Sequence, residues 1–385
     1  MTGRTPPWRS AGVRATAYQL AVVAVLIGVA AWMTDTARHA MQERGIASGF
    51  DFLLDRAGFA IGHAFFAFSP DESYLRAFVV GVGNTLVVAA ASLVAASLLG
   101  LAVGLARLSG NWLLARIAGL YVELFRNTPM LVQIVFWYTL CTLMPAPRQA
   151  WSLFDLAFAS NRGLLLPWPE RAGVFAVAGC LVVLGAGLVP PLYRWVDRLR
   201  RRGRRPRAVG GLALAALLAP AVLWWAAAGF PTAWSVPRLR GFNFAGGLAL
   251  SPEFLALFLG LSCYIAAFVA EIVRAGILSV GRGQIEAAET IGLARGDLYR
   301  KVVFPQAMRV IVPPLAAQYI SLVKNSSLGV AIGYPDLFSV TNTVLTLSGN
   351  TIEAIAIMAL VYLTLALAIG FLADLANRAV RIRER

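Results

Sequence analysis

Residues 78–105 form an apolar run of 28 residues without a charged side chain. At 1.5 Å per residue a helix of that length covers about 42 Å, more than the ~30 Å hydrocarbon core of a bilayer. Comparable runs recur at 16–33, 129–144, 173–193, 208–230, 252–273, 309–333 and 353–377. The first is long for the core of a signal peptide and suits a retained span. Within lipid every backbone N–H and C=O must be satisfied inside its own segment, so such runs are read as helices. The expected fold is therefore an all-α integral membrane protein of about eight transmembrane helices. A hydrophobic fraction of 59% and a mean hydropathy of +0.70 exclude an ordinary soluble domain.

The net charge of +15 raises nucleic acid as a partner, but the placement of the charge points to the membrane. Eight spans put both termini on one side. That side then carries 23 Lys and Arg residues against nine on the other, so the positive-inside rule places both termini in the cytoplasm. The arginines between Arg194 and Arg207 are read as a topology determinant near anionic lipid, with no nucleic-acid role. The spans and loops set five divisions: 1–76, 77–144, 145–251, 252–377 and 378–385.

Chemistry-bearing residues are few. Cys141, Cys180 and Cys263 lie in apolar runs without paired spacing, and His39 and His63 have no evident partners, so no disulfide framework and no metal site is expected. The only lysines, Lys301 and Lys324, do not follow glycine, and no phosphate-binding loop occurs. No cofactor is expected in this chain.

The longest polar interruption of the second half runs from Gln284 to Gln306. Its composition predicts two short helices with a turn between them. Ala287 and Ala288 favour helix, Gly292 is placed just past a helix end, Asp297 is set to cap the next turn, and Pro305 is expected to end it. Tyr299, Val302 and Val303 supply an apolar side, while Arg295, Arg300 and Lys301 stay wet. Such a knob suits a groove on another protein.

This stretch resembles the EAA loop of binding-protein-dependent ABC importers: Glu-Ala-Ala, three residues, Gly, nine residues, Ile, one residue, Leu-Pro. Those places hold Glu286, Ala287, Ala288, Gly292, Val302, Phe304 and Pro305 here, with intact spacing and two conservative departures. Further stretches resemble the polar amino-acid branch: Gly83–Leu86, Glu123–Gln133, Ala270–Ile277, Pro305–Ala307 with Pro313-Pro314, and Leu322–Leu328. The extra first span, the inserted pair and the segment Gly49–Phe59 are similar to the long subunit of general L-amino-acid permeases. The resemblance implies a five-helix type I importer core, in two parts at 77–144 and 252–377, plus one N-terminal span with a periplasmic segment in 1–76, an inserted helix pair with an Arg-rich cytoplasmic loop in 145–251, and a cytoplasmic tail at 378–385. It implies as partners an ABC ATPase dimer that holds ATP and Mg, a second, similar permease subunit, and a periplasmic amino-acid-binding protein. The location implied is the bacterial inner membrane.

On this reading Glu286, Ala287, Ala288, Gly292 and Pro305 couple the chain to the ATPase. Ionisable groups inside spans are costly and mark a pathway. Lys324, about fifteen residues into its run, with Asn325, Ser326 and Ser327, offers a cation, an amide and hydroxyls to a substrate carboxylate; the alternative is that Lys324 pairs with a carboxylate of a neighbouring span. Glu123 and Arg126 are pathway candidates that also have the spacing to pair with each other. Glu271 and Arg274 are read as structural or gate-linking. An ABC permease for another small polar solute, an ion-driven secondary transporter and a membrane enzyme are the competing readings. No paired broken helices in two related halves favour the secondary transporter, and no converging acid, base or metal set favours an enzyme.

Overall fold

The computed structural model describes residues 11–43, 49–62, 65–201 and 209–380. Arg4 and Arg9, His63, the arginines from Arg202 to Arg207, and Arg381, Arg383 and Arg385 lie outside the described residues. The chain divides into two compact units: Met1–Leu93 with Glu271–Arg385, and Val94–Ala270.

In the first unit, α1 (Ala11–Glu43) leads to a short 3₁₀ turn at Asp51–Leu54 and then to α2 (Tyr74–Ala106). The apolar window of α1 buries nothing, with Leu20, Leu26, Ile27 and Trp32 exposed, as a span facing lipid would be. The 3₁₀ turn and residues after it are tied into the core. Phe52, Ala57, Tyr74, Ala77 and Phe78 form one buried cluster with residues of α11 (Leu337–Ser348) and α12 (Thr351–Val380). Gly81 allows this approach, since a Cβ there would lie 3.1 Å from the Leu337 Cα. The Glu353 carboxylate accepts the Gly49 N–H at 2.8 Å, and the Asn350 amide donates to the Gly49 carbonyl at 3.3 Å.

The second unit holds the C-terminal part of α2, then α3 (Trp112–Asn127), α4 (Met130–Thr142), α5 (Ala172–Arg201), α6 (Val209–Ala227) and most of α7 (Pro252–Leu278). Gly260 of α7 lies against Ile134 of α4, and Gly185 of α5 lies against the Ala216 carbonyl of α6, so small residues bring these backbones together.

Three local expectations change. The run at 129–144 yields only the 13-residue α4, about 20 Å long, which is too short to cross alone; α3 precedes it across a break at Thr128-Pro129. The run at 309–333 becomes α10 (Phe304–Asn325) followed by a 3₁₀ segment, Ser326–Ile332. The segments 145–172 and 231–251, which lie between the apolar runs and for which the all-α expectation allows no strand, contain strands. β1 (Trp151–Leu153), β2 (Ala157–Ser160), β3 (Gly163–Leu166) and β8 (Leu248–Leu250) form an antiparallel sheet in the order β1-β2-β3-β8. Two-stranded pairs join β4 (Trp168–Pro169) to β5 (Trp234–Ser235) and β6 (Arg238–Arg240) to β7 (Asn243–Ala245). Strands of two to four residues are too short to show alternation, and β3 finds β8 only after the α5–α6 hairpin has intervened.

Candidate functional site

The polar stretch after α7 folds into α8 (Arg282–Thr290), a turn, α9 (Arg295–Leu298) and a π-helical turn, Tyr299–Val303, that runs on into α10. Gly292 closes α8 in the left-handed region at φ +76. Its N–H donates to the Glu289 carbonyl at 2.9 Å, and the Leu293 N–H donates to the Ala288 carbonyl at 3.1 Å. This pair is the Schellman arrangement, which satisfies the carbonyls that a helix end leaves free. Ala288 is buried with Val280, Leu298, Val303, Ala307 and Ile311, while Glu286 and Ala287 face outward. The motif thus separates into an anchor and an exposed edge. Beside that edge, Ile291 (76% exposed), Tyr299 (57%) and Phe304 (60%) stand uncovered.

Three expectations here are corrected. Asp297 is not a cap: Ala294 holds that position without a side-chain bond, and the Asp297 carboxylate accepts from Lys301 at 3.0 Å. Pro305 does not end the helix. It sits in the first turn of α10, and the helix passes through it by widening to a π turn in which the Phe304 N–H reaches back to the Tyr299 carbonyl. A proline removes one i→i−4 bond, and the wider turn accommodates that gap. Tyr299 is exposed, and Leu298 with Val303 forms the buried side.

The Lys324 group differs in exposure from residue to residue. Lys324 lies exposed in the last turn of α10, where the helix dipole favours a cation. The Ser326 hydroxyl is fully buried and donates to the Val323 carbonyl at 2.8 Å, and the Ser327 hydroxyl donates to the Lys324 carbonyl at 2.8 Å. These hydroxyls satisfy carbonyls at the helix end; Asn325 is half-buried. Glu123 and Arg126 are both exposed near the end of α3. They form no ion pair with each other among the described residues; the Arg126 guanidinium instead lies over the Phe268 ring, 5.1 Å from its centroid. Glu271 and Arg274 do pair, at 2.6 Å along α7. His39, read as lacking a partner, contacts the Asp35 carbonyl at 2.9 Å on an exposed turn.

One group escaped the sequence reading. Asp336 is fully buried at the start of α11, where its Oδ1 accepts the Ser339 N–H at 2.9 Å and its Oδ2 accepts the Tyr362 hydroxyl at 3.3 Å. The Tyr334 hydroxyl donates to the Asn84 carbonyl, the Asn84 amide donates to the Pro335 carbonyl, and the Leu337 N–H donates to the Thr85 hydroxyl. A knot of polar groups therefore locks the turn before α11 onto α2 and α12. The available signal was Asp336 itself, an N-cap residue type three positions past Gly333. The 12-residue α11 was too short to register as a span.

Residues 96–382 match the family described as binding-protein-dependent transport system inner membrane component. The chain belongs to that family. It is 44% identical over 375 residues to the putative amino-acid ABC transporter permease protein YhdX of Escherichia coli, covering 97% of this chain and 95% of that protein. It is 40% identical to the general L-amino acid transport system permease protein AapQ of Rhizobium johnstonii (97% and 93% covered). It is 34% identical to the glutamate/glutamine/aspartate/asparagine transport system permease protein BztB of Rhodobacter capsulatus (97% and 95% covered). The chain is accordingly a permease subunit, a transport component of the inner membrane.

Proposed function

We propose that this chain is the long permease subunit of an ATP-driven importer of L-amino acids, taking substrate from a periplasmic binding protein. The observation that carries the proposal is the knob. Its buried Ala288 and closed Gly292 turn hold Glu286, Ala287, Ile291 and Phe304 outward on a short, rigid projection. A projection anchored in a helical core moves with that core, so closure of a docked ATPase becomes a rigid-body movement of α7 and α10. ATP and Mg belong to that ATPase dimer. A second, similar permease chain completes the membrane part, and both termini lie in the cytoplasm, on the side of the knob. The full-length likeness to general and acidic amino-acid permeases supports a broad L-amino-acid substrate range.

The test is uptake of radiolabelled glutamate, glutamine, leucine and arginine in cells lacking this chain and in cells with it restored. Loss of several classes together, recovered only with an intact ATPase, is the expected result. Loss of one class narrows the substrate. Undiminished uptake of all four, in cells without a redundant importer, overturns the amino-acid reading and leaves a permease for another small polar solute.

A further inference from the structure

The strands between α4 and α7 build a sheet with two unlike faces. Residues paired across antiparallel strands share a face, and the side alternates along each strand. One row of pairs runs Trp151, Ala159, Leu164 and Leu250 across β1, β2, β3 and β8. On the same side Leu153 pairs with Ala157, and Leu166 pairs with Leu248. This side therefore carries no charged side chain and no hydrogen-bonding side-chain group beyond the Trp151 indole N–H. None of its residues is buried, and Trp151 and Leu153 are each 63% exposed. The opposite face holds the interior of the module: Leu165 is buried, and the Phe158 ring lies 4.7 Å from the Phe244 ring. An apolar face left open over four strands marks a contact with something outside the chain.

The turn between β1 and β2 leads to the same conclusion by another route. Phe154 and Asp155 both stand in the left-handed region at φ 54, and the Leu156 N–H closes the turn on the Leu153 carbonyl at 3.1 Å. A two-residue turn of this hand is cheapest with Asn-Gly. Phe154 occupies it instead, 86% exposed. Left-handed backbone at such a residue costs about 1–2 kcal/mol, a strain kept where the side chain is used. Here it holds an aromatic ring outward next to Leu153.

The module cannot stand far from the bilayer. One residue separates β8 from α7 and two separate β4 from α5, and two extended residues reach only about 7 Å. The headgroup layer is about as deep, ~5–8 Å on each side of the hydrocarbon. At this level the Trp224 indole donates to the Val174 carbonyl at 3.2 Å and the Trp225 indole to the Pro231 carbonyl at 3.4 Å, while Trp168 and Trp234 lie on the paired β4 and β5. A belt of indoles marks the membrane–water boundary. The segments 145–172 and 231–251 also carry five arginines, Arg148, Arg162, Arg171, Arg238 and Arg240, against Asp155 and Glu170. That excess complements lipid phosphate. A docked protein would instead form about one hydrogen bond per 100–200 Å² of interface, and this face has almost nothing to bond with.

We propose that the β1-β2-β3-β8 face is a lipid-binding surface that rests on the outer leaflet, with Trp151, Leu153 and Phe154 below the level of the phosphates and the arginines of the module against them. The partner is phospholipid of the bilayer itself. The insertion thereby ties the outer ends of α5, α6 and α7 to the membrane surface and holds their depth. This inference rests on the topology proposed above, which puts the strands on the side away from the ATPase.

The experiment uses the complete transporter in proteoliposomes of phosphatidylethanolamine and phosphatidylglycerol. Nitroxide labels are placed singly at Trp151→Cys, Ser152→Cys, Leu153→Cys and Phe154→Cys in a Cys180→Ser background, and the signal of that background alone is subtracted. All four positions are exposed, so a label requires no repacking. Collisions with oxygen, which concentrates in lipid, are compared with collisions with a nickel chelate, which stays in water. Oxygen is expected to dominate at Trp151, Leu153 and Phe154 and the chelate at Ser152, on the other face of the same strand. Dominance of the chelate at all four positions overturns the proposal, as does dominance of oxygen at all four, which means immersion of the whole strand. A loss of oxygen collisions at Leu153 and Phe154 on adding the loaded binding protein overturns it and gives the face to that protein. Poor access of both reagents before that addition overturns it and gives the face to another subunit. Should Trp151→Cys fail to assemble, Ser152 against Leu153 still carries the contrast. Chelate that reaches Ser152 only from the ATPase side overturns the proposed topology, and the outer-leaflet placement with it; chelate-dominated collisions at all four positions from the opposite side overturn this inference only.

Discussion

The knob of α8 and α9 and the polar knot around Asp336 belong to the same compact unit, and each closes a turn between helices. They are built in opposite ways. The knob is made from consecutive residues, stands at the surface, and depends on one backbone position, Gly292. The knot joins residues as much as 252 positions apart, is buried, and depends on every member finding a partner. In the knob, lost side chains remain exposed to water, and only the backbone path is fixed. In the knot, Asn84 lies about 15 Å along α2 and Tyr362 about 16 Å along α12, so an unmet group there has no water to turn to. A surface that docks is thus specified by local spacing, and a junction at membrane depth by mutual satisfaction.

The knot should therefore show the largest effect on stability. Asp336→Leu removes the cap of α11, which leaves the Ser339 N–H unmet, and takes the carboxylate away from the Tyr362 hydroxyl, for a total near ~3 kcal/mol. Thermal unfolding of the detergent-purified chain measures this, and a loss under about 1 kcal/mol breaks the comparison. Asp336→Asn keeps the cap and should recover part of the loss. Asn84→Leu comes next, at about 2 kcal/mol, because it takes the amide donor from the Pro335 carbonyl and the amide oxygen from the Phe65 N–H. Both variants should lower transport only in proportion to the folded protein remaining.

Gly292→Val should reverse that relation. A Cβ at Gly292 meets nothing within 4 Å, so the substitution is not excluded by space. Its penalty comes from the left-handed backbone and amounts to about 1–2 kcal/mol, confined to the turn. The chain should still insert and purify in normal amount, while ATPase co-purification and amino-acid uptake fall together. Normal uptake with a normally associated ATPase would remove the knob from the coupling path.

The same contrast explains what could be read in the sequence. Glu286, Ala288 and Gly292 act within one stretch, so their roles follow from spacing, and the long apolar runs gave most of the membrane helices. Pro305 misled because its usual effect, ending a helix, was absorbed by a π turn that nothing local announces. The β-module escaped because β3 pairs with β8 across two intervening helices. Asp336, Tyr334 and Tyr362 escaped because each is unremarkable alone, and only the fold brings them to Asn84 and Thr85.

The smallest effect expected is at the Asp297–Lys301 pair. Its partners lie 3.0 Å apart, one turn from each other, but both side chains are about half exposed, at 47% and 59%. Water and salt screen such a pair, and holding two mobile side chains together offsets most of the attraction, so a contribution below about 0.5 kcal/mol is expected. Lys301→Ala should leave stability unchanged within error, and raising the salt concentration should not alter the melting of either protein differently. The knob should keep its shape because the Leu298 and Val303 anchors and the Gly292 turn do not involve this pair. A loss of more than 1 kcal/mol would show that a surface side chain helps hold the knob, and the division between a backbone-fixed projection and a side-chain-fixed junction would have to be given up.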